Sequence, residues 1–332
     1  MPRLSIIIPC YNAELTIPRL LESILSQSFE DYEVLAINDG STDQTAQIIS
    51  RYASKDCRIR LISISNGGVS RARNIGINHA TAPFLTFIDA DDALLPDALY
   101  TFLRDEDNDC QYMVCQSVYN HHIDTGENSP LFHFTEDIVI NQNQNQFLAS
   151  SLKLLNNGYC FAKMFNTHLL NEKNIRFDED LHIHEDHLFI FKYLLASDGF
   201  KLKKDGGYMY SIGNPSSLSF AVKPTLNYIN VTHQMLDVLP DIFKLLNIPN
   251  DYQKIVYTDY VGSRIMLEAS NAYHSSKQPN KFTFRRYLAV RRKYSDLFKK
   301  YYTPPTRKAA ILKVIFLYLP ILYDFFKRKG IV

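Results

Sequence analysis

Phe84-Leu85-Thr86-Phe87-Ile88-Asp89-Ala90-Asp91-Asp92 is an apolar run that reads as a buried strand and stops in three carboxylates within four positions. Like charges crowded at the end of a buried strand are costly unless a cation or hydrogen bonds compensate them. A divalent metal is one such cation, and oxygen ligands without Cys or a nearby His suit Mg or Mn rather than zinc. Helix capping is the other explanation, with Asp91 or Asp92 bonding backbone N–H groups before Leu94-Leu95-Pro96. Capping accounts for one carboxylate and leaves a surplus.

Upstream of this stretch, strand and helix alternate. Leu4-Ser5-Ile6-Ile7-Ile8-Pro9 reads as a strand buried on both faces. Thr16 and Pro18 then open a helix with Leu20, Leu21, Ile24 and Leu25 at helical spacing. Tyr32 to Asn38 is a second strand, followed by the turn- and cap-rich Asp39-Gly40-Ser41-Thr42-Asp43 and a helix over 44–52. A third strand, Ile59 to Ser65, leads through Asn66-Gly67-Gly68 into a helix over 70–80. Downstream come a helix over 96–104 and a fifth strand, Gln111 to Val118. The pattern predicts an α/β chain with a doubly wound, mostly parallel sheet and ligands beyond the carboxyl ends of its strands. Tyr11, Asp39, Gly67, Gly68, Asp89 and Asp91 then share one edge. The G-x-G-x-x-G of a dinucleotide binder is absent, because Pro9-Cys10-Tyr11-Asn12-Ala13-Glu14 stands in its place.

Residues 119–146, rich in Asn, Gln and His and ending in Asn141-Gln142-Asn143-Gln144-Asn145-Gln146, read as an irregular exposed insertion. A helix from Phe147 and a short strand from Cys160 to Asn166 precede a second acidic knot, Glu185-Asp186-His187-Leu188-Phe189. Leu188, Phe189, Phe191, Leu194 and Leu195 continue it helically, so Glu185 and Asp186 occupy a first turn, where the helix dipole favours carboxylates. His182, His184 and His187 crowd this knot, a placement open to the metal shell or to a second substrate, while zinc is disfavoured for want of a Cys set.

The 332 residues, 46% hydrophobic, suffice for a sizeable core. Five cysteines without a CxxC pair suggest neither a disulfide framework nor a thiol zinc site, and a reducing compartment fits them. The N-terminal run lacks the apolar region of a signal peptide. Net charge is +1, but residues 281–332 carry fourteen Lys and Arg against Asp296 and Asp324, which puts +12 on the tail and −11 on the remainder. Ala309 to Phe326 is near the lower limit for a membrane span, and the flanking cations suit a helix lying in an anionic leaflet rather than one reading nucleic acid. Packing against protein is the plainer alternative for that helix.

Five segments taken together carry a resemblance. Ser5 to Glu14, Asn38 to Asp43, Asn66 to Gly76 (Asn-Gly-Gly-Val-Ser-Arg-Ala-Arg-Asn-Ile-Gly), Asp89-Ala90-Asp91-Asp92 and Glu185 to Phe189 resemble the family 2 inverting glycosyltransferases of GT-A fold, over about residues 4–215. The resemblance implies a nucleotide-sugar donor, usually a UDP-sugar, a glycan or lipid-linked glycan acceptor, and a divalent metal, Mn or Mg. By that resemblance Asp39 contacts the base, and Pro9, Tyr11 and Glu14 line the base and ribose pocket. Asp89 faces the ribose and metal, and Asp91 of the D-x-D ligates the metal. Gly68 and Arg73 lie near the donor, and Asp186 is the catalytic base with Glu185 in support. Arg71 stands where the family commonly has a small residue and is expected to face solvent. A sugar-nucleotide pyrophosphorylase would want a Gly-rich basic loop after the first strand, which is missing. A nucleotide-sugar or glycan-binding protein that has lost catalysis is the non-enzymatic alternative. The expected organisation is a transferase domain over 1–220, with a nucleotide-binding half to about 118 and an acceptor half over 119–220. A helical extension over 221–332 follows, its basic tail at the cytoplasmic face of a membrane in surface polysaccharide synthesis.

Overall fold

The computed structural model describes residues 1–141, 158–181, 185–213, 227–245 and 248–257, together with scattered positions between 288 and 314. They divide into two compact units, Met1–Val222 and Lys223–Val332.

In the first unit the chain runs β1 (Leu4–Cys10), α1 (Ile17–Leu25), β2 (Tyr32–Asp39), α2 (Thr45–Ala53), β3 (Ile59–Ile64), α3 (Val69–His79) and β4 (Phe84–Phe87). There follow β5 (Ala93–Leu94), α4 (Ala98–Leu103), β6 (Met113–His122), β7 (Asn128–Phe132), β8 (Ile138–Asn141), β9 (Lys163–Asn166), α5 (Thr167–Glu172), α6 (Glu185–Ala196) and β10 (Gly199–Ile212). One sheet holds these strands in the order β3-β2-β1-β4-β9-β6-β10-β5, with β7 on β6 and β8 on β10. Strands β3, β2, β1 and β4 are mutually parallel, as is the β6–β10 pair, while β9, β5, β7 and β8 run antiparallel to their neighbours.

Strands β1, β2 and β4 are buried on both faces, which is why they read as largely apolar runs, whereas the edge strand β3 is only partly covered. Helix α1 covers them with Ile17, Leu20, Leu21 and Ile24. Helix α3 lies unusually close, because a Cβ on Gly76 would fall 2.2 Å from Ile7 Cγ2. Arg73, three residues earlier and on the same helix face, is thereby carried to the carboxyl edge of the sheet. Behind α6 stands an aromatic cluster in which Phe177 stacks on Phe189 at 4.1 Å and Phe87 meets both edge-on.

Two expectations are corrected. Residues 119–141 are not an irregular insertion, since β6 extends to His122 and β7 and β8 pair with β6 and β10. Nor does Asp91 or Asp92 cap a helix: α4 starts at Ala98 after Asp97, which makes no side-chain cap. The polar tract 142–146, the helix expected from Phe147, His182, His184 and residues 214–226 lie outside the described residues.

The second unit contains α7 (Asn227–Leu245) and α8 (Asn250–Tyr257), joined by an edge-on contact of Phe243 with Tyr257 at 5.1 Å. Among the described residues no helix is long and apolar enough to cross a membrane. The basic tail helix expected over 307–329 falls almost wholly outside them.

Candidate active site

At the end of β2, Asp39 is buried and accepts the backbone N–H groups of Gly67 and Gly68, each at 2.8 Å, while Asn66 Nδ2 donates to its carbonyl at 3.0 Å. One carboxylate thus fixes the loop that opens α3. The loop after β1 is laced to the start of α2. Asn12 N donates to Ser41 Oγ at 3.0 Å, Ala13 N to Thr45 Oγ1 at 2.8 Å, and Glu14 N to Asp43 Oδ2 at 3.1 Å. Glu14 Oε2 in turn accepts Gln44 N at 2.9 Å, which is a helix-capping contact. Pro9 is half-buried on this edge and Tyr11 is 53% exposed. Arg71 folds back over Gly67 instead of extending, its Nη1 reaching the Ser65 carbonyl at 3.4 Å.

The three carboxylates after β4 separate into different environments. Asp92 is fully buried, its Oδ2 accepting the Tyr208 hydroxyl at 2.5 Å and its Oδ1 the Ser211 N–H at 2.8 Å. Tyr208 also accepts the Asp89 N–H at 3.0 Å. Burial, followed by the charges of Asp89 and Asp91, raises the Asp92 carboxyl well above the usual range. The surplus carboxylate of the sequence is therefore a structural clasp. Arg19 steadies the same loop from α1, its Nη2 donating at 2.5 Å to both the Asp91 carbonyl and Ser211 Oγ. Asp89 and Asp91 remain half-buried at the edge.

The two acidic motifs meet at one guanidinium. Arg73, buried in α3, donates from Nη2 to Asp89 Oδ1 at 2.9 Å and from Nη1 to Asp186 Oδ1 at 2.6 Å, with Glu185 Oε1 3.9 Å away. Among the described residues its Nε has no hydrogen-bond partner. Asp186 Oδ2 accepts the Cys160 N–H at 3.4 Å. Burial moves the Asp186 carboxyl up from its ordinary value, against Arg73 and with the help of the Asp89 charge.

Whether these residues suit a divalent metal is decided by the donor set. Among the described residues no three His, Cys, Asp or Glu side chains converge as a cage. Asp89 and Asp91 instead supply one or two carboxylates, the usual protein share when Mg or Mn is held jointly with substrate phosphates. The residues present fit a metal shared with a diphosphate and not a metal held by protein alone.

The structure thus brings Arg73, Asp89, Glu185 and Asp186 together, with Asp91 two residues beyond Asp89 on the loop after β4. Pro9, Tyr11, Glu14, Asp39 and Gly68 lie at the ends of β1, β2 and β3. Sequence reasoning missed Tyr208, Arg19 and Lys163. Only Lys163 left a signal, a lone cation inside the apolar run Cys160-Phe161-Ala162-Lys163-Met164-Phe165.

Comparison with known proteins agrees with this geometry. The model of glycosyl transferase family 2 matches residues 5–167. A Bacillus subtilis protein described as the uncharacterized glycosyltransferase EpsJ is 30% identical over 230 residues, 68% of this chain and 66% of the relative. The Staphylococcus aureus poly(ribitol-phosphate) beta-N-acetylglucosaminyltransferase TarS is 29% identical over 221 residues, 64% of this chain and 36% of TarS. The chain thus spans about two thirds of the first relative and about one third of the second. A crystal structure of TarS 1-349 in complex with UDP-GlcNAc superposes with a TM-score of 0.68 at 19% identity, covering 100% of this chain and 90% of that one. With its sheet order, its acidic rim and these matches, the chain belongs to glycosyl transferase family 2 and has the GT-A fold.

Proposed function

We propose that the chain moves a sugar from a nucleotide-sugar donor, a UDP-sugar, to a hydroxyl of a glycan or lipid-linked glycan with inversion, as a step in surface polysaccharide synthesis. The observation that carries this reading is Arg73 bonding Asp89 of the D-x-D and Asp186 of the Glu-Asp pair at once. It brings a donor-side and an acceptor-side carboxylate to one rim, beyond the carboxyl ends of parallel strands, where α/β sheets bind ligands. UDP and UDP-GlcNAc are the molecules named with the TarS structures, and they favour a UDP-sugar here.

Asp39 and the loop it fixes, with Pro9, Tyr11 and Glu14 alongside, form the nucleoside side. Asp91 and Asp89 would hold Mg or Mn, which supplies neutralisation of the charge that develops on the departing diphosphate. Asp186 takes the proton from the acceptor hydroxyl as that oxygen bonds to the anomeric carbon. The bond to the diphosphate oxygen breaks with its electron pair leaving on the nucleotide. An upward-shifted carboxyl suits this role, because a general base works best with its pKa drawn toward the working pH. Arg73 orients the carboxylate and keeps its charge compensated before the acceptor arrives.

Screening UDP-sugars for thermal stabilisation, with and without Mn, identifies the donor. Acceptor-dependent release of UDP then falls about 10²- to 10⁴-fold in Asp186→Asn, the usual contribution of general-base help. Equal turnover by the variant sinks the assignment, and donor binding without turnover by wild type favours the non-catalytic reading. Action at the cytoplasmic face of a membrane is part of the proposal and rests on the +12 tail. Deleting residues 303–332 moves the protein from the membrane fraction to the supernatant. Unchanged recovery with membranes removes the anchor.

A further inference from the structure

Three aromatic rings lead from the D-x-D loop toward solvent. Tyr208, the partner of Asp89 and Asp92, stacks with Phe161 at 4.4 Å and 7°. Phe161 stacks with Tyr159 at 4.7 Å and 12°, and Tyr210 leans on both at 5.4 and 5.8 Å. The first two rings are buried, whereas Tyr159 is 39% exposed.

The backbone that presents Tyr159 is pinned on three sides. Gly158 lies against His187, so that a Cβ there would fall 1.7 Å from the imidazole Cε1. Cys160 N–H bonds Asp186, as described above. Lys163, 1% exposed, donates its ammonium to the Tyr159 carbonyl at 2.7 Å. Withdrawing an ammonium from water to hold a loop carbonyl is costly, and it keeps this segment in place beside the base.

We infer that Tyr159 is the platform on which the acceptor sugar stacks, and that the acceptor is a pyranoside glycan. The inference rests on the proposed role of Asp186 as base, because the hydroxyl to be deprotonated must lie against that carboxylate. A pyranose ring has a flat C–H face that packs on an aromatic ring while its hydroxyls point sideways. An acyclic polyol phosphate has no such face and calls for cations. Among the described residues the lysine and arginine beside this segment are already engaged, Arg73 with two carboxylates and Lys163 with the Tyr159 carbonyl.

The test uses the full chain, the donor identified above, and two acceptor sets: methyl glycosides of hexopyranoses and N-acetylhexosamines, and ribitol-phosphate oligomers. Transfer to methyl pyranosides is expected, with Tyr159→Ala raising acceptor KM about tenfold, an effect that falls on acceptor KM rather than on kcat or donor KM. Tyr159→Phe and Tyr159→Trp hold acceptor KM near wild type, which a general folding defect would not do. An acceptor KM within about twofold of wild type in Tyr159→Ala overturns the platform. So does better use of ribitol-phosphate oligomers than of any methyl pyranoside. Failure of wild type to bind or turn over any nucleotide sugar instead defeats the proposed function, and the platform with it.

Discussion

The two ends of the same parallel strands treat a buried carboxylate differently. At the amino end Glu33 Oε1 accepts Ser5 Oγ, Thr81 N and Thr81 Oγ1, each at 2.7 Å. Burial pushes its carboxyl up, but these bonds and Arg60 outweigh burial and leave it below its ordinary value. At the carboxyl end burial wins, so that Asp92 and Asp186 are raised even though Tyr208 and Arg73 act on them. Three short donors and Arg60 outweigh burial at Glu33, whereas at Asp92 and Asp186 burial and neighbouring carboxylates outweigh the groups that bond them. The contrast separates the stabilising end of the sheet from the working end.

Removing Arg73 is the largest challenge to that contrast. Arg73→Met strands Asp89 and Asp186 without their common cation and costs about 3–5 kcal/mol in chemical denaturation, as loss of one partner from a buried ion pair does. In Arg73→Met/Asp186→Asn part of that loss returns, because one of the two stranded charges is gone while Asp89 keeps its own. Strict additivity of the two substitutions would mean that the bridge carries no coupling. A smaller effect belongs to Glu33→Gln, expected to cost about 1–2 kcal/mol at neutral pH by turning charge-assisted bonds into neutral ones. Its folded-state pKa is depressed, so the wild-type advantage is complete above the ordinary glutamate range and vanishes as pH falls through the lowered value. A variant gap independent of pH would break the comparison. For Asp186 the sign reverses: the folded state binds the proton more tightly, and its contribution to stability falls as pH rises out of the acid range.

Strands β1 and β4 were legible because burial on both faces writes Ile6-Ile7-Ile8 or Phe84 to Phe87 as continuous apolar runs. The edge strands β7 and β8 were not. Asn128–Phe132 is half exposed, short and interrupted by Pro130, and it pairs with β6. β10 contains Lys201, Lys203, Lys204, Asp205, Gly206 and Gly207, a polar stretch without strand periodicity, yet they continue a strand through a register shift against β6. Lys201 is neutralised by Glu106 at 2.5 Å, a partner 95 residues away. At the rim the acidic motifs were readable as motifs. Their junction was not, because Arg73 and Asp186 lie 113 residues apart and nothing local records the meeting.

The Asp92 clasp makes the two ends of the domain inseparable. The loop of β4 is fastened to Tyr208 and Ser211, 116 and 119 residues further along the chain. The first 118 residues are consequently not a cassette that can be grafted onto a foreign sequence in place of residues 119–222. A chimaera that exchanges one half must carry β10 with it, or arrive with the loop after β4 untied.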